Sequence, residues 1–213
     1  MQFTTIPYPQ YLESVPQTGR HILGHQRAGQ ILVYQAYNHA IADFAIKNQY
    51  LGGSAYSYSR MSWIKPNFLW MMYRCGWCAK ENQERVLGLW MNTADFDLIL
   101  SQSVFSSFKE DVYETTELWK EELTRLPVRL QWDPDHDIFG KKQERKAIQL
   151  GIKGDLLQQF AKEMILEVID LTAFAKEQQK NIATGHIRSV QVPEEWVYLP
   201  QSDQIKRQIG LDV

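Results

Sequence analysis

The stretch Pro66-Asn67-Phe68-Leu69-Trp70-Met71-Met72-Tyr73 constrains the fold of this chain more than any other. Proline suits the first turn of a helix, where its missing N–H removes no hydrogen bond. The run from Phe68 to Tyr73 is apolar on all sides and leaves no face for water, so the pattern predicts a helix buried inside the protein. Burying a whole helix needs other elements around it, and 213 residues are enough for one domain of that kind.

Composition narrows the class. With 44% hydrophobic and 23% charged residues the chain is an ordinary globular protein, and wholesale disorder is excluded. The 23 Lys+Arg nearly balance the 25 Asp+Glu, which argues against a dedicated nucleic-acid coat while leaving room for a local basic patch. No uncharged apolar run approaches the ~20 residues of a membrane helix, so no membrane partner is expected. The first ten residues carry polar groups and two prolines instead of a signal-peptide pattern, and the expected location is the cytoplasm.

The elements read off the chain are short and mixed. Residues 1–30 are punctuated by Pro7, Pro9, Pro16, Gly19, Gly24 and Gly29 and are expected to form an irregular arm. A core domain is expected over 31–185 and a tail packing on it over 186–213. Ile31 to Tyr37 reads as a buried strand, and Asn38 as the N-cap of a helix running to about Asn48. Arg85 to Met91, Val128 to Trp132 and Lys146 to Ile152 read as further strands, with helices from Thr93 and over Glu114 to Leu126. Leu156, Phe160, Ile165, Val168, Ile169 and Thr172 recur at helical spacing, which predicts one long C-terminal helix from Gly154 to about Lys180. The fold class expected is α+β, a single domain of short mixed strands.

Chemistry-bearing residues fall in three groups. Arg60, Trp63 and Lys65 precede the buried helix, whose free N–H groups and two cations would suit a phosphate or carboxylate; Arg74 lies on that helix and needs a partner or a ligand. Gln131-Trp132-Asp133-Pro134-Asp135-His136-Asp137 reads as a turn with His136 facing a cleft, and Arg145 and Gln149 follow it. On the first strand, alternation puts Gln35 and Tyr37 on one face and Tyr34 on the other. Cys75-Gly76-Trp77-Cys78 has redox spacing, but it follows the buried helix instead of opening one, and no second cysteine pair completes a zinc site. No metal is expected. The sequence also contains no phosphate-binding Gly-Lys loop, dinucleotide Gly-x-Gly-x-x-Gly, Gly-x-Ser-x-Gly or His-Glu-x-x-His motif.

From Arg60 to Arg74 the chain resembles the family catalogued as domain of unknown function 4291. The resemblance extends to Val33-Tyr34-Gln35-Ala36-Tyr37, to Gln83-Glu84-Arg85-Val86-Leu87, to Gln131-Trp132-Asp133-Pro134 with His136, and to Arg145 and Ala147-Ile148-Gln149-Leu150-Gly151. The cysteine pair departs from the family pattern, which speaks against a thiol mechanism. The family label carries no activity. More loosely, a strand ending in polar and aromatic residues, then a helix, then Ser57 and Ser59, is similar to the opening of ADP-ribosyltransferase-like folds. That similarity implies NAD as cofactor in a cleft between two small sheets, Tyr37 or Gln35 near the nicotinamide ribose, Arg60 or Lys65 near the pyrophosphate, and Glu144 as the nearest catalytic glutamate.

The expectation is an enzyme, a transferase acting on a nucleotide-like or phosphate-bearing ligand derived from NAD or RNA. Its catalytic groups would be His136, Tyr37 and Glu144. Ligand would be held by Gln35, Arg60, Trp63, Lys65, Arg74, Gln131, Asp133, Arg145 and Gln149. The alternatives are a non-catalytic structural or regulatory protein, in which these side chains pair with one another, and a module binding nucleic acid through exposed cations and aromatics.

Overall fold

The structure is a computed structural model and describes residues 3–212. The chain runs β1 (Thr5–Pro7), α1 (Tyr8–Ser14), β2 (Ile22–Gly24), β3 (Gln26–Arg27), β4 (Gln30–Tyr37) and α2 (His39–Asn48). It continues β5 (Ser62–Ile64), α3 (Phe68–Cys75), β6 (Arg85–Asn92), α4 (Thr93–Ser101), β7 (Ser103–Phe105) and α5 (Thr116–Arg125). Then follow β8 (Val128–His136), β9 (Lys142–Ile152), α6 (Gly154–Gln159), β10 (Ile165–Asp170) and α7 (Thr172–Ala183). The last elements are β11 (Gln191–Pro193), β12 (Trp196–Tyr198) and α8 (Asp203–Gln208). This is a mixed α/β domain, and no helix among the described residues is long and apolar enough to cross a membrane.

Two four-stranded sheets carry the fold. The first has the order β10-β6-β4-β3, all antiparallel; the second has β5-β9-β8-β7, antiparallel except for the parallel pair β7–β8. A single bridge joins them: the Tyr34 N–H donates to the Lys65 carbonyl at 2.7 Å, and the Lys65 N–H donates to the Tyr34 carbonyl at 3.1 Å. One core cluster takes Ile31 and Val33 from β4, Leu87, Leu89 and Met91 from β6, Val128 and Leu130 from β8 and Ile148, Leu150 and Ile152 from β9, so it lies between the two sheets. The opposite face of β4 and β6, with Leu32, Tyr34, Val86 and Trp90, packs against α1, α3 and α7 in a second cluster. Period-two alternation along β4 explains how one strand serves both cores.

The local signals for β4 and α2 hold. Asn38 Oδ1 accepts the Ile41 N–H at 3.0 Å, and the same cap recurs on α3, where Asn67 Oδ1 accepts the Trp70 N–H at 2.7 Å. The buried helix is α3, but it is not buried all round. Phe68 to Met72 and Cys75 are buried, whereas Tyr73 and Arg74 reach solvent. Cys75 and Cys78 are free and buried at its C-terminal end.

Three expectations are corrected. The first thirty residues are not an irregular arm: β1 pairs with β11 and β2 with β12, so the two ends of the chain cover the core together. The long C-terminal helix does not exist. α6 ends in a π-helical turn over Phe160–Met164, and Ile165 to Asp170 form β10, the edge strand paired with β6. Ile165, Val168 and Ile169 are β-branched and gain more from filling that edge than from helix. Asp133 to His136 are not a turn but the end of β8, held by β9 from Asp133 opposite Ala147 to His136 opposite Lys142, with an irregularity after Pro134.

Candidate functional site

The apolar run of β4 stops where the cleft begins. Gln35 and Tyr37 continue the face that carries Ile31 and Val33, and they line a cleft of about 800 Å³. The second sheet contributes Ser62, Trp63, Gln131 and Gln149, and Lys65 follows β5; α3 adds Met71 and Arg74, and the loop after α2 adds Tyr56, Ser57 and Arg60.

The glutamines Gln35, Gln131 and Gln149 of the cleft are held in place by hydrogen bonds. Gln35 Nε2 donates to Ser62 Oγ at 2.7 Å and to the Trp63 carbonyl at 3.1 Å, and the Tyr37 hydroxyl donates to Gln35 Oε1 at 2.8 Å. Gln149, opposite Gln131 in the ladder, donates through Nε2 to Gln131 Oε1 at 2.8 Å and to Asp133 Oδ2 at 2.7 Å. Burial is the first cause that raises the Tyr37 phenol well above its ordinary pKa, followed by the charge of Tyr56; the phenol is a proton donor at neutral pH.

The cations of the cleft are not paired. The ion pairs among the described residues are made by Arg20, Arg27, Arg85, Arg125, Arg145 and Lys206, none of which lines it. Arg74 lies 5.8 Å from the Trp70 ring centroid. Lys65 is only 6% exposed. Burial first and the Arg74 charge second pull its amine down to about 8, against upward pulls from Cys75 and Asp133. Three cations thus face one cleft, and among the described residues no carboxylate lines it.

The N-terminus of α3 is not available to a ligand, contrary to the sequence reading. Glu195 Oε1 takes the Phe68 N–H at 2.6 Å, while Oε2 accepts from the Tyr11 hydroxyl and from Asn67 Nδ2, each at 3.1 Å. Burial pushes the Glu195 carboxyl up to about 8. Beside it, Arg145 and Asp135 form a fully buried pair at 2.6 Å, and Arg145 lies 5.9 Å from the Tyr11 ring with both terminal nitrogens unpartnered.

Of the residues singled out from sequence, Gln35, Tyr37, Arg60, Trp63, Lys65, Arg74, Gln131 and Gln149 come together in the cleft. Asp133 meets it through Gln149. Three do not join. His136 is buried and stacked on Tyr73 at 3.5 Å between ring centroids, with Trp70 at 5.3 Å, and its ring nitrogens have no partner. Arg145 belongs to the buried cluster. Glu144 is exposed and outside the cleft lining. Arg74 sits at the rim of the cleft, exposed, so the expectation of a buried charge is corrected as well. Sequence reasoning missed Glu195, which no motif marks, and Ser62, whose hydroxyl links Gln35 to Tyr37 at 2.7 and 3.0 Å. Among the described residues no group of three or more His, Cys, Asp or Glu is placed to hold a metal.

No curated protein matches the chain. The family model described as Domain of unknown function (DUF4291) matches residues 21–198, a span that holds both sheets and every residue of the cleft. With most of its length so matched, the chain belongs to the DUF4291 family.

Proposed function

We propose that the cleft between the two sheets binds a nucleotide-like, phosphate-bearing ligand and that the protein is an enzyme acting on it, a transferase on a nucleotide-type substrate. The observation that carries this reading is the charge of the cleft: Arg60, Lys65 and Arg74 face it, and no carboxylate of the described residues does. Guanidinium groups hold phosphate oxygens in pairs, and a partly buried ammonium adds a charge that water screens little. The aromatic faces of Trp63 and Tyr56 and the fixed amides of Gln35, Gln131 and Gln149 supply what a base or sugar would need. Transfer of ADP-ribose from NAD is one reaction of this class, and NAD carries a pyrophosphate for the cations and two bases for the aromatic side chains. Tyr37, whose phenol keeps its proton, lines the same cleft.

A purely structural role would match the one buried cation of this set, Lys65, to an acid, which the cleft lining does not provide. The test is a thermal-shift series with NAD, ADP, nucleoside monophosphates and short RNA. A ligand at ~100 times its Kd stabilises by ~2.7 kcal/mol. The expected result is a shift with a phosphate-bearing ligand that Arg60→Ala and Arg74→Ala each reduce. NAD is then followed for release of nicotinamide. Shifts that are absent for all of these ligands, or that both arginine variants leave intact, would overturn the assignment.

A further inference from the structure

We propose that Lys65 is an imine-forming lysine, whose side-chain amine condenses with the carbonyl group of a phosphorylated aldehyde seated in the cleft. The proposal rests on the cleft being a phosphate site and names the reactive group of what it takes; an open-chain sugar phosphate is one such aldehyde.

Three observations converge on this residue. Lys65 is 6% exposed and yet lines an open cleft, so the side chain is shielded from bulk water and reachable from the ligand side. Its backbone is pinned by both hydrogen bonds to Tyr34 and is followed by Pro66 and the α3 cap Asn67, which fixes the direction from which the amine meets a ligand. Among the described residues the ammonium has neither an ion pair nor a hydrogen bond. The charged and titratable groups near it are Arg74, Cys75 and Asp133, and the Asp133 carboxylate already accepts the Gln149 amide at 2.7 Å.

A lysine kept only for structure would not be left in this state. A buried cation without a partner destabilises the fold, and the usual remedy is a carboxylate within reach. The setting instead raises the share of neutral amine, because burial and the Arg74 guanidinium both oppose a charge on Nζ. With the amine near 8, roughly a tenth of it is unprotonated at pH 7, against fewer than one in a thousand for an ordinary lysine. Desolvated amines beside another cation are the nucleophiles of Schiff-base chemistry. Arg60 and Arg74 are then left to hold the phosphate.

The step balances without an added reagent. The Nζ lone pair forms a C–N bond to the carbonyl carbon while the carbonyl oxygen takes up a proton, giving a carbinolamine. That oxygen then departs as water, which carries away the two hydrogens the amine gives up, and a C=N bond remains. No electrons are gained or lost.

The test uses the full chain and pyridoxal 5′-phosphate as probe, with borohydride to reduce any imine and peptide mass spectrometry to locate it. Pyridoxine 5′-phosphate, an alcohol in place of the aldehyde, reports phosphate binding alone through its thermal shift and its protection of the site. The expected result is that Lys65 is modified at least tenfold faster than exposed lysines such as Lys47 and Lys80. Pyridoxine 5′-phosphate should protect Lys65, and Arg60→Ala and Arg74→Ala should each slow it several-fold. If pyridoxine 5′-phosphate binds but Lys65 reacts no faster than the exposed lysines, the imine is overturned and the phosphate site stands. If pyridoxine 5′-phosphate neither shifts the melting temperature nor protects, and Lys65 is inert, both fall. Fast modification of Lys65 that is indifferent to both arginines and to the alcohol overturns the phosphorylated substrate.

Discussion

Glu195 accepts the Phe68 N–H at 2.6 Å, so a carboxyl group from the C-terminal segment occupies the first amide of the helix that carries Arg74. Burial holds this carboxyl protonated up to about 8, against an ordinary value of 4.5. The folded chain therefore keeps a proton that the unfolded chain releases. The stability this contributes is complete below about pH 4.5 and is lost as pH rises to about 8. Glu195→Gln, which keeps the neutral shape, should flatten the fall in urea midpoint between pH 5 and pH 8. Glu195→Ala should cost at least about 2–3 kcal/mol, because the Phe68 N–H, the Tyr11 hydroxyl and the Asn67 amide all lose an acceptor.

The Arg145–Asp135 pair should show the asymmetry of buried charges. Both side chains are 1% exposed and 2.6 Å apart. Arg145→Met should destabilise by about 3–5 kcal/mol, since it leaves the Asp135 carboxylate buried alone. The double variant Arg145→Met with Asp135→Leu should recover a large part of that loss. Chemical denaturation of the four proteins of the cycle measures the coupling.

Lys65→Met should stabilise the fold by about 1 kcal/mol at pH 7 while abolishing the borohydride-trapped adduct with pyridoxal 5′-phosphate, the exchange expected where a strained group serves a ligand. The sign with pH is opposite to that of Glu195. The folded-state amine titrates near 8 and the ordinary one near 10.5, so the penalty is complete below about pH 8 and fades as pH rises to 10.5. The gap in melting temperature between Lys65→Met and the parent should close over that range.

Gly151 faces Trp63 across the β5–β9 pair, and a Cβ placed there would come within 2.8 Å of Trp63 Cε2. Gly151→Ala should destabilise by about 1–3 kcal/mol and shift the indole in the cleft wall. Tryptophan fluorescence and the affinity for pyridoxine 5′-phosphate should change together.

The parts of the site that could be read in advance are those fixed by local pattern. Gln35 and Tyr37 were legible because a strand's period of two carries the face of Ile31 and Val33 onward to them. The segment from Ile165 to Asp170 was not, because apolar residues three and four apart satisfy a helix as well as an edge strand with a register shift, and only pairing with β6 decides. Asp-Pro-Asp favours a turn locally, yet β9 supplies partners for it as a strand. Glu195 lies 127 positions from Phe68, and nothing near it in the chain announces that it will cap α3. The same distance effect misplaced His136 and Arg145, whose neighbours Tyr73, Trp70 and Tyr11 come from helices elsewhere in the chain.

The Tyr34–Lys65 bridge has a mechanical consequence. Two peptide hydrogen bonds are the ladder contact between the two sheets, and one of the two residues that make them also presents its amine to the cleft. Any splaying of one sheet from the other strains those two bonds, together with the hydrogen bonds from Gln35 and Tyr37 to Ser62 and Trp63. The residue that would feel the ligand is thus also part of the seam between the sheets, so the grip on a ligand and the spacing of the cleft walls meet at one side chain and its own peptide.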